Sequence, residues 1–196
     1  MKLSSILKSK GYQTDKKDRH IDYLKTYEEL FHPLQSKNIK LLEIGVFKGE
    51  SLKLWSDYFT GGKIYGIDDF SRTSIRSVKN NLKEYKNVVS IDQVDSCKYE
   101  GDIIEIRDEY LSRFNDGFFD IIIDDGLHKS EFQIATYLNF KDKLKSNGLY
   151  IIEDIKNYEG HMENLQNFFG DNITITHYPK TAGWDDNIIG VVNGTH

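Results

Sequence analysis

The chain has 196 residues and no Ser/Gly/Pro-rich stretch to serve as a hinge, which fits one domain built on one core, residues 1–196. Hydrophobic residues at 38% and aromatics at 13% suffice for a packed interior and exclude a disordered chain. The 31 acidic residues outnumber the 26 basic ones and the lysines are spread along the chain, which excludes the concentrated positive field that a nucleic-acid partner needs.

The polar opening lacks the apolar run of a signal peptide. Ile21, Leu24, Tyr27, Leu30 and Phe31 then follow at helical spacing and predict an amphipathic helix over Thr14 to Phe31, with residues 1–36 forming an N-terminal helical segment. Beyond it, short apolar runs alternate with amphipathic stretches. The runs predict strands at Ile39 to Ile44, Lys63 to Ile67, Val88 to Ile91, Phe118 to Ile123 and Leu149 to Ile152. Helices are predicted near Ser51 to Tyr58, Ser74 to Glu84, Asp102 to Phe114, Glu131 to Leu144 and Met162 to Phe169. Ile173 to His177 and Ile188 to Val192, joined by a loop bearing Pro179, Gly183 and Trp184, are expected to pair antiparallel. The fold class is therefore α/β: a Rossmann-like, mostly parallel sheet of about seven strands with an antiparallel last strand and helices on both faces.

Nowhere is an apolar run long enough to span a membrane, so no membrane partner is expected. Cys97 is the single cysteine, which excludes an internal disulfide and suits a reducing compartment; the cytoplasm is the expected location. Asn172-Ile173-Thr174 and Asn193-Gly194-Thr195 have the form of glycosylation acceptors and read as accidents of composition.

In an open parallel sheet, ligands bind beyond the carboxyl ends of the strands. Those ends carry, in order, Glu43 and Gly45, Asp68 and Asp69, Asp92 and Gln93, Asp124 and Asp125, then Glu153 and Asp154. Five acidic tips on one rim repel one another, which points to a cationic ligand, a metal or both. In the first turn, Glu43 to Ser51, Phe47 stands where a dinucleotide fingerprint has its second glycine, making a poor pyrophosphate cradle. A ligand without phosphates still gains close backbone approach at Gly45 and Gly49, with Glu43 and Ser51 beside it. S-adenosyl-L-methionine, with ammonium and sulfonium charges, meets that description, although the same glycines also suit a plain strand-to-helix turn. Asp68 lies one half-unit further on, where an acid accepts both ribose hydroxyls; Asp69 can do the same or cap a helix. Asp92 and Gln93 fall where adenine would lie, and capping by Asp95 or Ser96 explains that stretch as well. Asp124 completes the expected cofactor-binding set.

Several pieces of the chain, in order and with compatible gaps, carry a resemblance: TDK at Thr14 to Lys16, LLEIGVFKGESLKLWSDYF, IYGID, FDIIIDDGLH and LYIIEDI. Together they resemble the sugar O-methyltransferase family related to the macrolide methyltransferase of mycinamicin biosynthesis, and also proteins labelled cephalosporin hydroxylase. The resemblance implies a class I S-adenosylmethionine-dependent methyltransferase fold. It also implies a metal-binding aspartate at Asp125, a catalytic histidine at His128, and further metal ligands at Glu153 and Asp154, usually for magnesium. Two departures stand out: Glu50 replaces a common glycine, and Leu127 a common serine. The short chain implies an open acceptor site, or one completed by another subunit of a homo-oligomer.

The chemistry agrees with that reading. A sugar hydroxyl is too weak an acid to ionise near neutral pH, so its attack on a methyl group is helped by a base, a Lewis acid or both. Asp125, Glu153 and Asp154 offer only hard oxygen, which favours magnesium or calcium. The plainer account makes Asp124-Asp125-Gly126 a strand-ending turn, His128 a loop residue and Glu153-Asp154 a helix cap. His161 and His177 lack such company and read as structural or surface residues; Trp184 and Asp185-Asp186 suit an acceptor pocket or an ordinary loop. The expected activity is metal-assisted methyl transfer to a small-molecule or saccharide hydroxyl. The alternatives are a nicotinamide-dependent oxidoreductase, disfavoured by Phe47, and a non-catalytic adenosine-ligand-binding module.

Overall fold

The computed structural model describes residues 1–17, 20–100, 103–105, 108–157, 160–178 and 186–193. The chain opens with α1 (Leu3–Lys10), inside the stretch read as polar, where Leu3, Ile6 and Leu7 share one buried face. Gly11, at φ 70°, ends it by donating its N–H to the Leu7 carbonyl. A single 3-10 turn at Asp15–Lys17 precedes α2 (Tyr23–Phe31), so the helix expected from Thr14 starts later. Ile21, counted in its apolar stripe, is exposed, and Tyr23 takes the buried position.

Then come β1 (Lys40–Ile44), α3 (Glu50–Tyr58), β2 (Lys63–Asp68), α4 (Ile75–Leu82) and β3 (Val88–Gln93), all close to the predicted spans. The helix expected over Asp102 to Phe114 is not formed. A hairpin of β4 (Lys98–Glu100) and β5 (Ile103–Glu105) is followed by a short α5 (Asp108–Leu111). Adjacent β-branched Ile103 and Ile104 favour the extended chain over a helix. β6 (Phe119–Asp124), α6 (Ser130–Phe140), β7 (Leu144–Ile152), α7 (His161–Phe169), β8 (Ile173–His177) and β9 (Ile188–Asn193) complete the chain. The Trp184 loop lies outside the described residues.

The seven-stranded sheet has the order β3-β2-β1-β6-β7-β9-β8. β9 alone runs antiparallel, between β7 and β8. Alternate residues face opposite sides, so Leu41, Ile121 and Ile151 pack into one core, beneath the helices from α1 to α4. Leu42, Ile122 and Ile152 pack into the other, with α6 and α7. Both faces are buried, which is why the strands read as unbroken apolar runs. The chain leaves β1 toward β2 and β3 and returns on the other side at β6, so a crevice opens between the carboxyl ends of β1 and β6.

Candidate active site

The crevice is shaped by one glycine. A Cβ on Gly45, at φ 92°, would lie 2.0 Å from the Asp125 carbonyl oxygen, so only glycine lets the β1 loop meet the β6 loop. The Asp125 N–H then donates to the Ile44 carbonyl at 2.9 Å. Gly49 does different work: its missing side chain faces Leu82 of α4 rather than the cleft, as the turn into α3 requires.

Phe47 adopts a left-handed φ of 48° and is clamped at both ends. Its N–H donates to Asp68 Oδ2 at 2.8 Å, and its carbonyl accepts from the Thr73 hydroxyl at 2.9 Å. Asp68 Oδ1 accepts from the Phe70 N–H at 2.6 Å, so this carboxylate pins two loops at once. Asp69 turns to the Ser71 N–H and hydroxyl, as a capping residue does. Gln93 donates to the Asp69 carbonyl at 2.9 Å, and Asp92 pairs with Arg113 at 3.2 Å.

Three adjoining clefts run along the strand tips. The central one, of about 420 Å³, is lined by Gly45, Asp68, Asp125, His128 and Asp154, among others. A second, of about 480 Å³, reaches Ser51 and Thr14 across the Phe47 loop. A third, of about 660 Å³, takes in Asp92 and Gln93 with Tyr110 and Arg113. Glu43, Asp124 and Glu153 are buried.

At the centre, His128 Nε2 lies 3.4 Å from Asp125 Oδ1, and His128 Nδ1 lies 3.6 Å from Asp154 Oδ2. Burial opposes the imidazolium, yet the carboxylates of Asp125, Asp154 and Asp124 outweigh it and raise His128 to about 9. Asp154, at φ 53°, holds a backbone conformation that costs a non-glycine residue about 1 to 3 kcal/mol, the kind of strain found at functional sites. Its Oδ1 lies 3.2 Å from the Tyr23 hydroxyl and 3.4 Å from His20 Nε2. Burial, reinforced by Asp125, raises Asp154 to about 7. Burial also raises Asp124 to about 7, against hydrogen bonds from the Gly126 N–H and the Tyr150 hydroxyl. Burial raises Glu43 to about 8, opposed by the Lys16 ammonium and by the Ser51 hydroxyl.

The metal set expected from Asp125, Glu153 and Asp154 is not gathered at one point. Among the described residues, the groups with ligand atoms within 4.8 Å of one another are Asp125, His128 and Asp154, and Asp15, His20 and Asp154. Glu153 belongs to neither. It continues the face of Ile151, which packs toward α2, so its carboxylate meets the Tyr27 hydroxyl and, at 2.9 Å, the Lys16 ammonium. Lys16, Tyr23, Tyr27 and His20 carry no role in the sequence reading. The available signals were the TDK segment and the four-residue spacing of Tyr23 and Tyr27, which sets two hydroxyl tips on one core face. His161 is structural, its Nδ1 accepting the Ser130 N–H at 3.0 Å at the start of α6, and His177 is exposed.

Residues 42–155, more than half of the chain, match the family described as a methyltransferase domain. The chain belongs to this methyltransferase family. It is similar to 8-demethyl-8-alpha-L-rhamnosyl tetracenomycin-C 2'-O-methyltransferase of Streptomyces olivaceus, 28% identical over 141 residues that cover 68% of this chain and 33% of the relative. It is also similar to mycinamicin VI 2''-O-methyltransferase of Micromonospora griseorubida, 28% identical over 66% of this chain and 30% of the relative. The chain thus spans about a third of the length of these curated relatives. Among solved structures, the MycE methyltransferase from the mycinamycin biosynthetic pathway, in complex with Mg, SAH and mycinamycin VI, shares the fold. Its TM-score is 0.68 at 23% identity, covering 100% of this chain and 55% of that one. The methyltransferase match holds β1 through β7 with Asp125, His128 and Asp154, and leaves out the segment that delivers Asp15, Lys16 and His20. Among the described residues, no helix is long and apolar enough to cross a membrane.

Proposed function

We propose that this methyltransferase domain transfers a methyl group from S-adenosyl-L-methionine to a sugar hydroxyl of a small glycoside or polysaccharide precursor, assisted by a divalent cation, Mg²⁺. The observation that carries the reading is the charge imbalance at the rim, where Glu43, Asp125, Glu153, Asp154 and Asp15 converge around the Lys16 ammonium and Asp124 lies beside Asp125 and His128. Buried carboxylates raised to about 7 and 8 call for further positive charge, which a sulfonium, an ammonium and a divalent cation supply. The carboxylates fit such a cation, with hard oxygen from Asp125 and Asp154, the imidazole beside them being left for the proton. The cofactor fits as well, since the clefts flank Gly45, where the backbone is bare, and Glu43 lies buried beside Ser51 at the same turn. The relatives named for transfer to rhamnosyl and mycinamicin hydroxyls supply the acceptor class.

Asp125 and Asp154 would hold the cation, with Glu153 assisting. When bound, the cation supplies a Lewis acid that eases ionisation of the acceptor hydroxyl. The cation's charge would offset the carboxylates that hold His128 protonated, and the neutral imidazole would then take the hydroxyl proton at Nε2, the nitrogen facing Asp125. Gly45, Ser51 and Asp68 hold the cofactor across the Phe47 loop, with Asp92 and Gln93 further along the rim. Phe47 and Leu127, 50% and 51% exposed, edge the central cleft and offer apolar surface to the C–H face of a sugar. The test is methyl transfer from labelled S-adenosylmethionine to a panel of rhamnosides and macrolide glycosides, alongside calorimetry with S-adenosylhomocysteine. Cofactor binding without transfer to any hydroxylated acceptor would overturn the enzymatic reading.

A further inference from the structure

The peptide between Glu153 and Asp154 leaves the sheet ladder at a point where its carbonyl needs a donor from elsewhere. β6 and β7 pair in parallel up to Asp124 and Ile152, and one step on the Glu153 N–H still donates to the Asp124 carbonyl at 2.9 Å. In a continued parallel ladder the Glu153 carbonyl would accept from the Gly126 N–H. That N–H instead donates to Asp124 Oδ1 at 3.3 Å, and the Ile155 N–H crosses to the Ile188 carbonyl of β9 at 3.1 Å. The left-handed φ of 53° at Asp154 marks this change of partner. Glu153 is buried here, and an unmet carbonyl away from water is costly.

Gln133 supplies the donor. It is buried one turn into α6, on the face it shares with Thr136 and Phe140, and its Nε2 donates to the Glu153 carbonyl at 3.1 Å. Because the partner is a carbonyl, only the NH₂ end of the amide fits there. The helix that carries Gln133 starts two residues after His128, and its first turn is fixed from outside by the Ser130 N–H donating to His161 Nδ1 at 3.0 Å. One hydrogen bond thus joins the helix behind the His128 loop to the peptide between two acids of the rim.

We propose that Gln133 is a positioning residue for the cation site: by holding the Glu153 carbonyl it fixes the peptide from which the Glu153 and Asp154 side chains both project, in register with the loop of Asp125 and His128. This role rests on the cation reading above. The peptide is a rigid plane, so its rotation moves both neighbouring side chains at once. Tyr23 and His20 reach only Oδ1 of Asp154 and leave that rotation open. Mg²⁺ demands near-ideal octahedral geometry, which makes its affinity a sensitive report of such movement.

The test uses the full chain, with Mn²⁺ alone as the probe. Gln133→Met keeps the length of the side chain and removes the donor. Thr136→Val, on the same face of α6, removes a buried hydroxyl that meets Ser96 at 3.4 Å, and so measures what a general loosening of the helix does. Calorimetry reads Mn²⁺ and S-adenosylhomocysteine affinity, Tm reports folding, and amide exchange in the metal-free protein reports the turn itself. Gln133→Met should bind Mn²⁺ about 10-fold more weakly, as loss of an outer support to a metal ligand does, with faster exchange of the Ile155 amide. Its S-adenosylhomocysteine affinity should stay within about 3-fold of wild type. Thr136→Val should lower Tm and leave Mn²⁺ affinity unchanged. If the Met variant does not fold, Gln133→Asn, whose amide stops one methylene short of the carbonyl, gives the same readouts. Wild-type Mn²⁺ affinity in a folded Gln133 variant would overturn the positioning role. Equal weakening by Thr136→Val would assign the effect to α6 as a whole and overturn it too. A wild type that binds no Mn²⁺ sinks the cation reading itself, and this role with it.

Discussion

Asp68 shapes the cleft before any ligand arrives, because its carboxylate holds Phe47 and Phe70 by their amides. Its replacement by Ala removes both bonds and releases a loop that lines two clefts. The loss of about 1 to 3 kcal/mol corresponds to S-adenosylhomocysteine binding weakened roughly 5- to 150-fold. Asp69→Ala, which removes only a local turn, should change affinity far less, and calorimetry on the pair decides between them. Glu43 gives a pH prediction. Burial raises it from 4.5 to about 8, so the unfolded chain releases this proton first. Its contribution to stability is therefore lost as pH rises from about 4.5 to about 8 and is constant above that. Glu43→Gln escapes this loss, so its Tm advantage over wild type should widen between pH 5 and pH 8; a gap that stays constant across melts at pH 5, 7 and 9 would refute the assignment. Asp68, Asp125 and Asp154 were legible because each ends an apolar run whose geometry places it on the rim. Lys16 was not, since 109 residues separate it from Asp125 and a lysine in a polar stretch reads as solvated surface.

At the scale of elements, the two loops that meet at Gly45 depend on each other. A Cβ there would meet backbone, the Asp125 carbonyl at 2.0 Å, whereas a Cβ at Gly49 would meet the flexible end of Leu82 at 2.9 Å. Both positions carry positive φ, so backbone strain is common to the two and the contact makes the difference. Gly45→Ala should therefore lower Tm more than Gly49→Ala and should also weaken cation binding, because Asp125 must move. Equal losses in thermal melts and Mn²⁺ titrations would count against the coupling of these loops. The strands were readable for a related reason: both faces are buried, and unbroken runs such as IIID have little other use in a chain of this polarity. The hairpin of β4 and β5 was not, since its short apolar pattern, with Ile103 and Ile104 adjacent, suits either period. α1 was hidden by its lysines, which lie on its solvent side while three apolar residues anchor it.

At the scale of the whole molecule, the site joins two parts of the chain. The matched domain contributes Asp125, His128 and Asp154, and the N-terminal segment closes over them with Lys16, His20 and Tyr23. The residues proposed for the cofactor sit mainly on the tips of β1, β2 and β3, and those proposed for the cation on the tips of β6 and β7, so the two functions should separate under mutation. Chelation, or Asp154→Ala, should abolish methyl transfer while leaving S-adenosylhomocysteine affinity within about 3-fold of wild type, a small change on the affinity scale. Protons compete with the cation, since Asp154 is raised to about 7 and His128 to about 9. Mg²⁺ affinity should accordingly rise between pH 6 and pH 9, as these groups lose protons. His128→Ala should keep both ligands and lower the maximal rate on the order of 100-fold or more, with partial recovery at high pH where solvent replaces the base. Steady-state transfer across pH, with and without chelator, tests these together. Normal turnover in the chelated wild type would remove the cation from the reaction, and an unchanged rate in His128→Ala would leave the imidazole as a partner of Asp125 and Asp154 with no proton to carry.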